Sequence, residues 1–265
     1  MENDVQVGEP LASEGTMVST TGARLISMSD GLTHAGHGLS LAEKRIIALA
    51  ISKLDSKSNR SLFAAPTTRV KASELSEAFG VNKANSYRQL ESAAKMLYKR
   101  TITFYEPSFS RKTGKKSLED TRVEMRWVGE VRYQRGEGWV DLVWWPKLVP
   151  HLCGLERKFT SYQLSQASAL RSVYSWKLLE LLQRFTNSTG RGWATYTIED
   201  FVESMDATEA QRKDFSKIRT KIIEPAIKEL ENKDGWSIEW EAQKQGRKVV
   251  SLHFKYSRNS QMSLI

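Results

Sequence analysis

The chain has 265 residues, a length that suits two domains, and its 40% hydrophobic and 27% charged content is that of a globular protein with cores. A formal net charge of +9 selects an acidic partner, either nucleic acid or an anionic surface. The longest strictly apolar run, Ile46–Ile51, is too short to span a bilayer, no basic-then-apolar signal opens the chain, and the lone Cys153 excludes an internal disulfide framework, so the expected place is the cytoplasm, away from membranes.

Residues 1–38 are rich in Gly, Ser and Thr and poor in large apolar side chains, which predicts a flexible N-terminal arm. His34 and His37 read as loop histidines, because no further ligand follows at metal-binding spacing. Ser40 and Glu43 form a capping-box pattern and start a core helix with Leu41, Ile46, Ile47, Leu49, Ala50, Ile51 and Leu54 on its apolar face. Residues 55–70 read as a polar connection. A helix-turn-helix follows: Lys71–Phe79 with Ser73 as N-cap, a turn at Gly80, and a helix over 83–100 capped by Asn82. Tyr87, Leu90, Ala94 and Leu97 are its buried positions, and Lys83, Ser86, Arg88 and Lys95 are placed outside.

The period then becomes alternating. Thr101–Tyr105 reads as a strand, followed by a basic loop with Arg111, Lys112, Lys115 and Lys116, and by a hairpin of Val123–Tyr133 with Trp139–Trp144 about glycines 136 and 138. Trp127, Tyr133, Trp139, Trp144 and Trp145 are assigned to the sheet core, with a partner surface as the other reading. Helix, helix-turn-helix and hairpin is the order of a winged-helix domain. Pro146 and Pro150 bracket a helical turn, and the domain junction is placed near residues 146–165; His151 and Cys153 have no companion pair for a metal.

The second half repeats this order without a residue-by-residue repeat. Ala167–Thr186 reads as one apolar helix and Thr197–Met205 as a short helix capped by Thr197. Residues 206–211 read as a turn, and 211–231 as the second helix of the motif. Trp236–Glu241 and Val249–Tyr256 form a hairpin whose tip carries Lys244, Arg247 and Lys248. In the 211–231 helix, Phe215, Ile218, Ile222, Ala226 and Leu230 share a buried stripe. The opposite face carries Lys213, Ser216, Lys217 and Thr220, flanked by Arg219 and Lys221. Five basic residues and a single acid, Asp214, lie within 211–221, an arrangement the helix dipole disfavours. A solvated basic face is the plain reading. The position of this helix in the motif and the cationic hairpin beside it favour nucleic acid, because the second helix is the one that enters the major groove.

The segment VDLVWWPKLVPHLCGLERKFTSYQLSQASALRSVYSWKLLELLQRF at 140–185 resembles the central signature of iteron-plasmid replication initiators: Phe159, Thr160, Tyr162 and Leu164, then Leu170, Ser172, Tyr174, Leu178, Leu181 and Leu182. IRTKIIEPAIKELEN at 218–232 resembles that family's recognition helix, with Ile218 in place of the usual aromatic, and LSLAEKRIIALAISKL at 39–54 resembles its first helix. The resemblance implies an α+β protein of two tandem winged-helix domains, each a helix-turn-helix with a β-hairpin wing. They are divided as arm 1–38, first domain 39–150, second domain 151–258 and tail 259–265. It further implies iteron reading at a plasmid origin by the second domain, and backbone contacts and dimerisation by the first. A dimer would repress its own gene through an operator inverted repeat, and the host initiator, replicative helicase and chaperones would be partners.

The expected DNA contacts are Lys213, Ser216, Lys217, Arg219, Thr220, Lys221, Lys244, Arg247 and Lys248 in the second domain, with Lys83, Ser86, Arg88, Arg111 and Lys112 in the first. No enzyme activity, cofactor or metal is expected. A rolling-circle nicking enzyme needs closely spaced metal-binding histidines, which positions 34, 37, 151 and 253 do not supply, and TGKK at 113–116 is not a phosphate loop. A winged-helix repressor without initiator activity is the other alternative.

Overall fold

The computed structural model describes residues 21–58, 66–106, 121–134 and 136–259. The described chain enters through β1 (Leu25–Ser29), which pairs antiparallel with residues 159–163, and α1 (Asp30–His34), capped by the Ser29 hydroxyl accepting from Leu32 N at 3.2 Å. The expected arm is therefore part of the fold from residue 21 onward. Ile26, Met28 and Leu32 are buried, too few apolar residues to stand out among their polar neighbours. Residues 1–20 lie outside the described residues.

α2 (Leu41–Ile51) starts at the predicted capping box: Ser40 N donates to the Glu43 carboxylate at 2.6 Å, and Glu43 N to the Ser40 hydroxyl at 3.4 Å. The expected connection 55–70 contains β2 (Thr67–Lys71), in which only Thr68 and Val70 point inward. β2 runs straight into α3 (Ala72–Phe79), so the N-cap is Lys71 rather than Ser73; Glu74 accepts from Lys71 N at 2.9 Å. Gly80 ends α3 with φ +61°, a left-handed conformation that glycine adopts without a Cβ penalty. Asn82 caps α4 (Lys83–Leu97), its side-chain oxygen accepting from Ala84 N at 2.9 Å.

β3 (Thr101–Glu106) pairs with β4 (Thr121–Arg126), and β5 (Val128–Tyr133) with β6 (Trp139–Trp144). The single strand expected over 123–133 thus breaks at Trp127, a buried residue where the chain changes sheet. Trp144 is buried with its indole N–H donating to Thr68 Oγ1 at 2.9 Å, whereas Tyr133 and Trp145 remain exposed and do not belong to the core. A short 3₁₀ turn, Pro146–His151, leads to β7 (Phe159–Gln163), the partner of β1. The chain therefore returns to its N-terminal strand within the expected junction, so those residues are part of a sheet and not a bare linker.

The helix predicted over 167–186 is two helices, α5 (Leu164–Ser168) and α6 (Val173–Gln183); Ser172 interrupts them by capping α6, its hydroxyl accepting from Tyr174 N at 3.1 Å. β8 (Arg191–Thr197), absent from the sequence reading, leads into α7 (Ile198–Ser204), capped as predicted by Thr197, which accepts from Asp200 N at 3.0 Å. α8 (Glu209–Arg212), α9 (Phe215–Ile218), a π-helical turn over Arg219–Ile223 and α10 (Glu224–Asp234) follow, and β9 (Trp236–Gln245) and β10 (Lys248–Arg258) close the fold. The sheet orders β2-β6-β5 and β8-β10-β9 are equivalent: the strand before each helix-turn-helix pairs with the returning strand of each hairpin. The structure thus contains two winged helices.

α6 joins the halves. It is buried along Ser175–Leu182 and packs on α10, and its Glu180 accepts from Lys44 Nζ of α2 at 2.8 Å. The Asp206 carboxylate, after α7, accepts the backbone N–H groups of His37 at 2.9 Å and Gly38 at 3.1 Å. No helix among the described residues is long and apolar enough to cross a membrane.

Candidate nucleic-acid interface

The predicted helix 211–231 does not run unbroken. Asp214 is an N-cap whose carboxylate accepts from Ser216 N at 2.9 Å, so α9 starts at Phe215 and Lys213 precedes it. The cap puts an acid where the dipole favours one, which offsets the cost expected of the cationic first turn. Arg212 is drawn off this face: its Nε donates to Ala207 O and its Nη1 to Glu203, both at 2.8 Å. Ile218, Ile222, Ala226 and Leu230 are buried as predicted, and Ile223 and Ile227 widen the stripe. Lys213, Ser216, Lys217, Arg219, Thr220 and Lys221 are all exposed.

Lys217 lies 3.8 Å from Asp214, and Lys213 3.8 Å from Glu209. Exposed pairs this loose hold the ammonium groups only weakly and leave them available to a polyanion. Thr220 commits its hydroxyl hydrogen to Ser216 O at 2.8 Å, and its oxygen can still accept. Arg219 is held more firmly, with Nε donating to the Glu224 carboxylate at 2.6 Å.

The π-helical turn explains that last contact. Pro225 has no N–H, and its ring would collide with the carbonyl four residues earlier in a regular α-helix. The chain widens instead, and Glu224 N donates to Arg219 O, five residues back. Residues five apart in a straight α-helix point about 140° away from each other. The wide turn brings Glu224 beneath Arg219.

The β9–β10 hairpin closes through Gly246 and Arg247, with Gly246 at φ +62° in the glycine-first pattern of a type II′ turn. Lys244, Arg247 and Lys248 are exposed at its tip. Phe215, Ser216, Arg219 and Glu224 of the helix line one groove with Trp240, Glu241, Ala242 and Lys244 of the hairpin, so Arg219 and the wing's Lys244 border the same groove. Sequence reasoning missed Glu224 and Trp240; Pro225, immediately after Glu224, was the available signal for the first.

In the first unit, Lys83 and Arg88 are exposed on α4, and Arg88 Nη2 donates to Asn85 Oδ1 at 3.2 Å. Ser86 is not a contact residue. It is fully buried, and its hydroxyl is directed at Asn82 O (3.0 Å) and Val81 O (3.3 Å), because it shares the inward face of α4 with Leu90, Ala93 and Leu97. Tyr87, expected in the core, is half-buried and accepts from Gly136 N at 2.8 Å. Arg111 and Lys112, like Lys115 and Lys116, lie outside the described residues. His34 ends α1 rather than lying in a loop and rests against Arg184 and Ser204, whereas His37 is a loop residue as expected but is buried, with Nε2 donating to Leu32 O at 2.8 Å. Among the described residues no group of His, Cys, Asp and Glu is arranged to hold a metal.

A family model described as Initiator Replication protein, WH1, matches residues 25–183, and one described as Initiator Rep protein, WH2, matches residues 197–256. The chain belongs to the initiator Rep protein family. As an initiator Rep protein it is a DNA-binding replication initiator with two winged-helix domains; the α9–α10 helix lies in WH2, and β1, absent from the sequence-based domain, lies within the WH1 match. An uncharacterized 27.6 kDa protein from Escherichia coli is 22% identical over 240 residues, spanning 86% of this chain and 93% of its own length. The crystal structure of Pi initiator protein in complex with iteron DNA is similar with a TM-score of 0.71 and 20% identity, covering 90% of this chain and 98% of that chain. At that identity the likeness is one of fold.

Proposed function

We propose that this initiator Rep protein binds double-stranded DNA carrying the directly repeated iterons of a plasmid origin, with the α9–α10 helix in the major groove and the β9–β10 wing on the backbone. The observation that carries this reading is the groove that Arg219 of the basic helix and Lys244 of the basic wing border together. Lys217 and Arg219 read bases, since Arg and Lys match guanine O6 and N7. Lys213, Lys221, Lys244, Arg247 and Lys248 neutralise phosphates, which makes affinity steeply dependent on salt. In WH1, Lys83 and Arg88 contact backbone. The partners extend to a second copy, as a dimer that represses its own gene, and to host initiator, helicase and chaperones at the opened origin, all in the cytoplasm.

Binding of the pure protein to labelled duplex carrying the direct repeats beside its own gene, against shuffled duplex at two salt concentrations, tests the reading. A ladder of repeat-dependent complexes is expected; equal, salt-sensitive binding to both duplexes overturns it. Arg219→Ala and Lys217→Ala should each cost about 1–3 kcal/mol and relax preference at one base position, whereas Lys248→Ala should weaken all duplexes alike and lower the salt slope by about one. Identical behaviour of the three variants would sink the division into readers and phosphate clamps.

A further inference from the structure

We propose that Glu224 is a specificity-determining positioning residue: through the π-helical turn it fixes the Arg219 guanidinium for recognition of a single guanine. The inference rests on the reading of the α9–α10 helix as the base-contacting helix, and adds to it a residue and a mechanism. Arg219 is the cation of this face with a short, directional contact, its Nε 2.6 Å from the Glu224 carboxylate. By contrast, the ammonium groups of Lys213 and Lys217 lie 3.8 Å from their acids. With Nε engaged, the two terminal nitrogens remain to address a base edge. A bidentate contact to guanine O6 and N7 needs two donors in a fixed fork, which the planar guanidinium supplies only when its rotation is restrained.

The restraint is specific to this backbone. Glu224 N donates to Arg219 O across the wide turn, so residue 224 lies under residue 219 instead of on another side of the helix. Pro225 favours that widening, because an α-helical turn here would press its ring against the carbonyl of Lys221. An acid beside a DNA-facing cation otherwise works against binding, since it repels phosphate and removes part of the attraction that drives non-specific association. Its placement is accounted for by selectivity: it lowers affinity for any phosphate and orients the donor for one base. The groove shared with Trp240 and Lys244 leaves the guanidinium open toward the wing side.

The test is selection of the full chain on a random-sequence duplex pool, sequenced before and after, to give base preference at every position for wild type, Arg219→Ala, Glu224→Ala, Glu224→Gln and the Arg219→Ala/Glu224→Ala double variant. Affinity for a fixed unrelated duplex is measured alongside. Wild type should prefer guanine at one position by about ten-fold or more, the discrimination typical of a bidentate contact. Glu224→Ala should reduce the preference at that position to about two- to three-fold, leave other positions intact, and hold or raise affinity for unrelated DNA. Glu224→Gln, which keeps an oxygen acceptor for Nε, should retain most of the preference. The double variant should match Arg219→Ala, because the glutamate acts through the arginine.

If Arg219→Ala loses the preference while Glu224→Ala keeps it, the inference is wrong and the reading of the helix stands. If Arg219→Ala itself keeps the full preference, or wild type shows none, both fall. A uniform loss on Glu224→Ala at all positions and on unrelated DNA would mark a general structural role and overturn the proposal.

Discussion

His34 shows how much a single placement changes a residue's chemistry. Burial, then the neighbouring Arg184 and Lys177, push its imidazole down to about 4, against the smaller upward pull of Asp30 and Asp200. The unfolded chain, with an ordinary histidine value near 6.5, therefore binds a proton in a range where the folded chain does not. Stability from this group is fully present above about pH 6.5 and is lost as pH falls toward 4, up to about 3 kcal/mol in total. His34→Gln should flatten the decline in urea-unfolding stability across that window; an unchanged pH profile would show that the imidazole titrates normally in the fold. Ser86 makes the same point in reverse. It reads as a surface residue by its polar type, but it shares the buried stripe of α4 with Leu90, Ala93 and Leu97, and its hydroxyl is aimed inward at Asn82 O, 3.0 Å away.

At the scale of the element, the reading helix is built from an N-cap, a widened turn and a proline in succession. Asp214 sets where it starts, and the exposed groups follow from that origin. Pro225→Ala restores an N–H and removes the ring, so the helix can close to a regular α pitch. That change would carry Glu224 away from Arg219. The expected result is loss of guanine preference at the Arg219 position with thermal stability unchanged or raised, measured by the same duplex selection together with a melting curve. Preference retained in Pro225→Ala would mean that the turn is held open by packing of Ile222 and Ile223 rather than by the proline.

At the scale of the whole molecule, α6 packs on α10 of WH2 and carries a buried polar network that ties it to α2 and β7 within the WH1 match. Glu180 accepts from Lys44 Nζ at 2.8 Å and from the Tyr162 hydroxyl at 2.7 Å, and Trp176 Nε1 donates to that hydroxyl at 2.8 Å. Burial and the adjacent Glu180 hold the Tyr162 phenol neutral, well above its ordinary value. Glu180→Ala strands the Lys44 charge in the interior and should cost about 3–5 kcal/mol in chemical denaturation. Replacing both charges, Lys44→Met with Glu180→Leu, should recover most of that loss. A single-variant cost below about 1 kcal/mol would show that water reaches the site.

Local chemistry was legible in the sequence. The Ser40–Glu43 capping box, the Asn82 and Thr197 caps, the stripe through Ile218, Ile222, Ala226 and Leu230, and the basic hairpin tip all depend on residues within a few positions of one another, so their spacing states their geometry. β2 and β8 were illegible because each points only a few residues inward, and each is fixed by pairing with a distant strand, β6 or β10. Residues 25–34 read as an arm because β1 finds its partner, β7, more than 130 residues away. The break at Trp127 and the pairing of β7 with β1 follow from that same long-range pairing and packing, whereas the inward turn of Ser86 follows from the 3.6-residue period of α4 and was masked only by its polar type. By itself the sequence determined two winged helices and the cations of the second one's reading helix. The tertiary structure decided which of those cations is held, because the wide turn above Pro225 brings together two residues that α-helical periodicity places apart.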